Sequence, residues 1–131
     1  MKFEEITEQI IGCAYKVYNT MGFGYLESVY AKCMAIEFYK IGLKYEVEKA
    51  ITVYYEGNIV GEFFADKLVN GEIIVEYKSI RTLTKSHEVQ LVNYLTSTGK
   101  DVGLLINFGE KKVEIKRKVR KLSLTGKQDK T

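Results

Sequence analysis

Glu76 and Lys78 directly follow the apolar run Ile73-Ile74-Val75, and Asp66 lies in the β-rich run before it, across the turn signal Asn70-Gly71. Strand alternation places Glu76 and Lys78 on one face. A charge buried in such a strand must be paired or must hold an ion, because an isolated one is costly to bury. Two chemistries follow. Glu76 and Lys78 can neutralise each other as a salt bridge. Alternatively, Asp66 and Glu76 can offer oxygens to Mg²⁺, a hard cation that takes one or two carboxylates and fills its other positions with water and substrate phosphate. A lysine beside that ion can orient a water and stabilise charge developing on phosphorus, as in metal-assisted phosphodiester hydrolysis.

The tripeptide alone does not decide between them, since Glu-x-Lys recurs at Glu110 to Lys112 and at Glu114 to Lys116. Those two lie in EKKVEIKRKVRK, where Val113 and Ile115 alternate with charge, as on an edge strand with one wet face. Only Glu76 follows a continuous apolar run.

Convergence of the three residues depends on the hairpin that joins their strands. A two-residue Asn70-Gly71 loop sets Asp66 opposite Val75 and turns it away from Glu76. A three-residue loop, Val69-Asn70-Gly71 with a G1 bulge, pairs Asp66 with Ile74 and puts Asp66, Glu76 and Lys78 on one face. The site therefore requires this bulged loop, or an equivalent bulge near Asp66.

The flanking segments predict the order ααβββαββ, an α/β (α+β) fold with a mixed sheet flanked by helices. Phe3, Ile6, Ile10, Cys13, Val17 and Met21 recur at helical spacing up to the glycines of MGFG. A second helical pattern, Leu26, Val29, Cys33 and Ile36, runs to about Lys40 and stops at Gly42. Three β-rich runs then read as an antiparallel meander. Thr84 or Ser86 caps a third helix with the stripe Val89, Val92 and Leu95, ending at Gly99. VGLLINF lacks alternation and reads as a strand buried on both faces, with KKVEIKRKV as the last strand.

With 131 residues, 46% hydrophobic and 28% charged, the chain predicts one soluble domain. We place that domain at residues 1–121, with a basic tail at 122–131. No apolar stretch approaches the ~18 residues of a membrane span, and MKFEEITEQ is too acidic for a signal peptide, so a cytoplasmic protein without a membrane partner is expected. Cys13 and Cys33 lack metal-ligand spacing and read as reduced structural thiols. Charge is uneven: residues 111–131 hold 9 Lys/Arg against 2 Asp/Glu, whereas residues 1–110 hold 11 against 15. That basic end, including Lys116, Arg117 and Lys118, fits either phosphate contact or a solvated terminus. Tyr45, Tyr54 and Tyr55 fit base stacking or strand packing equally.

Asp66…Glu76-Tyr77-Lys78 resembles the pattern of the PD-(D/E)XK nuclease superfamily: an Asp, a variable gap, then Glu-x-Lys on the next strand. Gln90-Leu91-Val92-Asn93-Tyr94 looks like the Gln-xxx-Tyr motif of its RecB-like branch, with Gln90 and Tyr94 on one helix face. Gly24-Tyr25-Leu26-Glu27-Ser28-Val29-Tyr30 fits the signature of the bacterial GxxExxY protein family, and the likeness extends over about residues 3–120. It implies a restriction-endonuclease-like core and a Mg²⁺- or Mn²⁺-dependent nuclease acting on nucleic acid, DNA more than RNA. The alternative is a non-catalytic nucleic-acid- or protein-binding module on the same fold.

In the implied site Asp66 and Glu76 ligate the metal, with the Tyr77 carbonyl as a third candidate ligand, and Lys78 positions the attacking water. Glu27 acts near the metal through water, and Gln90 and Tyr94 orient Lys78 or a phosphate. His87 shares the face of Gln90 and Tyr94 and is a candidate phosphate contact or a plain surface residue. Ala65 stands where the superfamily's name has proline, a position that is not a ligand. Oligomeric state is left open, a dimer included.

Overall fold

Helix-period and strand-period segments separate along the chain as their spacing requires. The computed structural model describes residues 2–120, so the tail assigned to 122–131 lies outside the described residues. The elements are α1 (Lys2–Met21), α2 (Glu27–Lys40), β1 (Tyr45–Tyr55), β2 (Asn58–Val69), β3 (Ile73–Lys78), α3 (Lys85–Thr98), β4 (Val102–Phe108) and β5 (Val113–Val119). The order ααβββαββ is the expected one. β1 through β5 form one sheet in sequence order. β1, β2 and β3 run antiparallel, β3 and β4 run parallel across the α3 crossover, and β5 returns antiparallel. The fold is therefore α+β, with a mixed sheet between helices.

Two apolar layers cover the sheet. On one face α1 and α2 pack Ile10, Val17, Tyr30, Met34 and Phe38 against Val75, Tyr77, Leu104 and Ile106. On the other, α3 sets Leu91, Tyr94 and Leu95 over Ala65, Ile74 and Leu105. β4 is buried at every residue, as its unbroken apolar run requires. Gly103 lets α3 approach closely: a Cβ there would stand 2.9 Å from Leu91 Cδ1.

Two helix faces differ from expectation. In α2 the buried residues are Tyr30, Met34 and Phe38, while Leu26 and Ile36 are 75% and 58% exposed. Aromatic stacking selects this face, because the Tyr30 ring lies flat on Phe108 with centroids 4.3 Å apart, and Phe38 meets Tyr45. In α3 the stripe is Leu91, Tyr94 and Leu95, and Val89 is half exposed. Thr84 is the cap residue of α3 and Gly99, at φ 74°, ends the helix.

Candidate active site

Asp66 and Glu76 are brought together by a register that neither expected hairpin supplies. The pairs are Lys67 with Val75, Leu68 with Ile74 and Val69 with Ile73, so the loop is Asn70-Gly71-Glu72 and Asp66 falls across from Glu76. Asn70 and Gly71 both have positive φ, and the Glu72 N–H donates to the Val69 carbonyl, which closes a type I′-like turn with Glu72 as the extra residue. The expected bulge at Val69-Asn70-Gly71 is thus displaced. The observed register is two residues from the expected one, and a two-residue shift keeps every side chain on its face. A second irregularity lies beside Asp66 on β1. Glu48 has φ 50°, and the Glu48–Asp66 pair is missing from the ladder between Val47–Lys67 and Lys49–Ala65.

Beyond Lys67 the β2–β3 ladder is replaced by side chains. The Tyr77 N–H donates to Asp66 Oδ2 at 2.7 Å, and the Asp66 N–H donates to Glu76 Oε2 at 3.1 Å. Each carboxylate therefore fixes the other's strand while leaving its second oxygen available. N–H and C=O of one strand residue leave on the same side, so the Tyr77 carbonyl also faces this opening. Among the described residues Lys78 forms no ion pair with either carboxylate, although its charge pulls both of them down.

Electrostatics mark the pair as strained. Burial, followed by the neighbouring Asp66 charge, pushes the Glu76 carboxyl up to about 8. Burial also raises Asp66, while the Tyr77 N–H, Lys67 and Lys78 pull it back. Half-buried carboxylates with spare oxygens, an adjacent main-chain carbonyl and no cation in contact fit a hard divalent ion. Among the described residues no group of three His, Cys, Asp or Glu side chains is close enough to hold a metal. Protein ligands would therefore be Asp66, Glu76 and the Tyr77 carbonyl.

The motif residues divide between presenting and lining. Tyr30 is fully buried; its hydroxyl donates to the Gly22 carbonyl and lies 3.4 Å from the Tyr25 nitrogen, and Ser79 donates to the Tyr25 carbonyl. These bonds tie the loop before Glu27 to the end of β3. Glu27 is the first residue of α2, exposed, and its charge reaches Glu76 only weakly, consistent with action through water. Gln90 and Tyr94 line one groove on α3, and burial followed by the charges of Glu76 and Asp66 raises the Tyr94 hydroxyl.

The basic candidates are not equivalent. Lys116 is paired with Leu105, which is paired with Glu76, so it stands in the Glu76 row two strands away, about 10 Å at the usual spacing. Arg117 is exposed on the opposite face of that edge strand. Lys118 is bound to Glu88 of α3 at 2.6 Å. His87 holds the start of α3, its Nδ1 accepting the Thr84 N–H at 3.1 Å.

Sequence reasoning missed two groups. Lys67 is 1% exposed, its ammonium donating to the Ala31 carbonyl of α2 at 2.9 Å and lying 4.7 Å from the Tyr77 ring centroid. One side chain therefore joins the strand of Asp66, the helix of Glu27 and the strand of Glu76. Burial lowers its pKa from 10.5 to about 8. A depressed lysine leaves the fold least favoured below the folded value, and the penalty vanishes as pH rises past the unfolded one. Lys67→Met is expected to melt above the wild type at pH 7, by up to about 3 kcal/mol, with the gap closing between pH 8 and 10.5. A gap that does not change with pH in thermal melts would refute the assignment. The second group, Asn107 with Glu114, ties down the loop after Lys78: Asn107 exchanges hydrogen bonds with the Ile80 backbone, and Glu114 accepts from Asn107, Leu83 and Thr82. Glu114 is thus an anchor and not the solvated half of an edge pair.

A mixed sheet whose antiparallel hairpin delivers an Asp against a Glu-x-Lys strand is the arrangement of a restriction-endonuclease-like α+β fold. The family model of the PD-(D/E)XK nuclease superfamily matches residues 4–118, and the chain belongs to that superfamily. Among solved structures, the crystal structure of SSO0001 aligns with a TM-score of 0.56 at 17% identity, covering 73% of this chain and 50% of that one. The chain thus spans half the length of that protein, and the likeness concerns the fold. An alkaline exonuclease (LHK-Exo) from Laribacter hongkongensis aligns with a TM-score of 0.46 at 13% identity, covering 81% of this chain and 64% of that one. The search of curated proteins finds no match. No described helix is long and apolar enough to cross a membrane.

Proposed function

We propose that this chain is a Mg²⁺- or Mn²⁺-dependent nuclease that hydrolyses phosphodiester bonds, in DNA rather than RNA, and that it belongs to the GxxExxY group within the RecB-like branch. The observation that carries the reading is the interlocked carboxylate pair with Lys78 left unbridged. A cation held there supplies Lewis acidity and offsets phosphate charge. Asp66 and Glu76 would hold the ion, each carboxylate fixed by a backbone N–H. The Lys78 ammonium orients the attacking water and stabilises charge that develops on phosphorus. Glu27, presented by the Tyr30-anchored loop, orders water near the pair. Lys116, in the Glu76 row, meets the backbone of the bound strand.

The test is cleavage of single-stranded DNA, duplex DNA and RNA with Mg²⁺, Mn²⁺ or EDTA. Metal-dependent scission of DNA is expected, with a loss of about 10²–10³-fold in Lys78→Ala, the scale of removing one group that stabilises transition-state charge. Equal rates in Lys78→Ala, or cleavage that survives EDTA, would refute this reading.

A further inference from the structure

A groove of about 580 Å³ opens between α3 and the β1–β2 hairpin, and of its lining only Gln90 and Tyr94 belong to the motifs of the implied site. Its walls are Val53, Phe63, Val89 and Tyr94, with Gln90, Asn93 and three hydroxyl residues completing the lining, and no charged side chain among them. With no cation in its lining, the groove offers no charge to neutralise a phosphate. Planar rings beside free amide groups instead match a flat heteroaromatic ring with polar edges. Among the described residues neither Gln90 nor Asn93 is held by a protein hydrogen bond, so both amides are available to a ligand.

The ring geometry leaves a stacking surface. Phe63 and Tyr94 stand 5.6 Å apart at an interplanar angle of 34°, and Phe63 remains 43% exposed. Gly61 makes room for this ring: a Cβ there would stand 3.0 Å from Phe63 Cε2. The groove adjoins the carboxylate pair through the core. Tyr94 packs in the same cluster as Ala65, the neighbour of Asp66, and Ile74, two residues before Glu76 on the same face. Phe63 precedes Asp66 by three residues, roughly 10 Å along a strand, or about three nucleotide steps at the 3.4 Å rise of a stacked strand.

We propose that this groove receives an unstacked nucleobase, with Phe63 as the stacking platform and Gln90 and Asn93 reading its edge, so that the substrate reaches the carboxylate pair as a single strand. This rests on the nuclease reading for its substrate class. Base pairing hides the edges and faces that the groove would contact, so a duplex engages only after it opens.

The experiment measures binding and cleavage separately. Fluorescence anisotropy at fixed salt, on the full chain carrying Glu76→Gln so that nothing is cut, compares a labelled oligothymidylate of ~12 nucleotides with the same strand made abasic and with a duplex. The intact strand is expected to bind at least about tenfold tighter than either, and Phe63→Ala should erase the difference. Asn93→Leu, at an exposed position that cannot threaten the core, should reduce it severalfold. Equal affinity for intact and abasic strands, or a difference that survives both substitutions, overturns the proposal. Cleavage of the same strands by the unsubstituted protein with Mn²⁺ tells the two readings apart. Cutting without base dependence sinks the groove alone, whereas base-dependent binding without cutting sinks the nuclease reading and leaves the groove standing.

Discussion

At pH 9 the metal-free Glu76→Gln protein is expected to melt above the wild type by roughly 10–15 °C, and to show no response to Mg²⁺ or Mn²⁺. Burial, with the Asp66 charge behind it, raises the Glu76 carboxyl from 4.5 to about 8 in the folded chain. Below pH 4.5 the group is protonated folded and unfolded, and the stability linked to it is fully present. As pH rises toward 8 the unfolded chain releases its proton first, and that stability is lost through the folded value. A glutamine has no proton to lose and can still accept the Asp66 N–H. The difference reaches on the order of 4 kcal/mol at pH 9 and is close to zero at pH 4.

The same proton makes metal binding pH-dependent. A cation must displace it, so wild-type affinity for Mn²⁺ rises from pH 6 to 9, and binding at a hundredfold excess over Kd adds about 3 kcal/mol. The salt-bridge chemistry demands the reverse at every point: an orphaned Lys78 in the variant, a lower melting temperature and indifference of both proteins to metal. Melting curves of the two proteins at pH 5, 7 and 9, with EDTA and with Mn²⁺, discriminate fully.

What could be read in the sequence is local chemistry with a strong period. The order of elements followed from apolar spacing and turn residues, and the doubly buried β4 followed from a run with no alternation. Asp66, Glu76 and Lys78 were legible because charge interrupts an apolar strand. The hairpin was legible only to parity: a loop one residue longer, or shifted by one, changes which residues pair, and Glu72 rather than Val69 proved to be the extra one. The helix faces were misread where aromatic packing outweighed aliphatic spacing, as Tyr30 and Phe38 in α2 and Tyr94 in α3 show. Lys67 had no signal at all. Its neighbours Ala31, Tyr45 and Tyr77 come from three separate segments, and a lysine among β-strand residues looks like ordinary surface until the tertiary structure buries it.

Asn107→Leu is expected to be the most damaging substitution outside the carboxylate pair, costing about 3–5 kcal/mol and most of the cleavage activity. Asn107 is fully buried at the end of β4, in the row that runs from Lys78 through Asn107 to Glu114. Its Oδ1 accepts the Ile80 N–H at 3.0 Å, and its Nδ2 donates to the Ile80 carbonyl at 2.9 Å and to Glu114 Oε1 at 2.8 Å. Leucine fills similar space but leaves the Ile80 N–H and carbonyl without partners and removes one of the two donors to Glu114 Oε1, and each buried group left unpaired costs about 1–3 kcal/mol. Burial raises Glu114, yet the donors from Asn107, Leu83 and Thr82 outweigh it and hold the carboxyl below its ordinary 4.5, so the clamp persists above that pH and weakens as pH falls through the folded value. Without it, residues 79–84 lose the bonds that connect Lys78 to the Thr84 cap of α3, and with them the placement of Lys78. Arg81 lies in that loop and is exposed, which supplies a direct readout: trypsin should cut after Arg81 in Asn107→Leu far faster than in the wild type under conditions where both remain folded. Glu114→Gln keeps an oxygen for the Leu83 and Asn107 donors, so it should lose less stability and resist trypsin better. A leucine variant that melts with the wild type and resists cleavage at Arg81 would mean that the loop is held by its ends alone, and that Lys78 owes its position to β3 and not to the Asn107–Glu114 clamp.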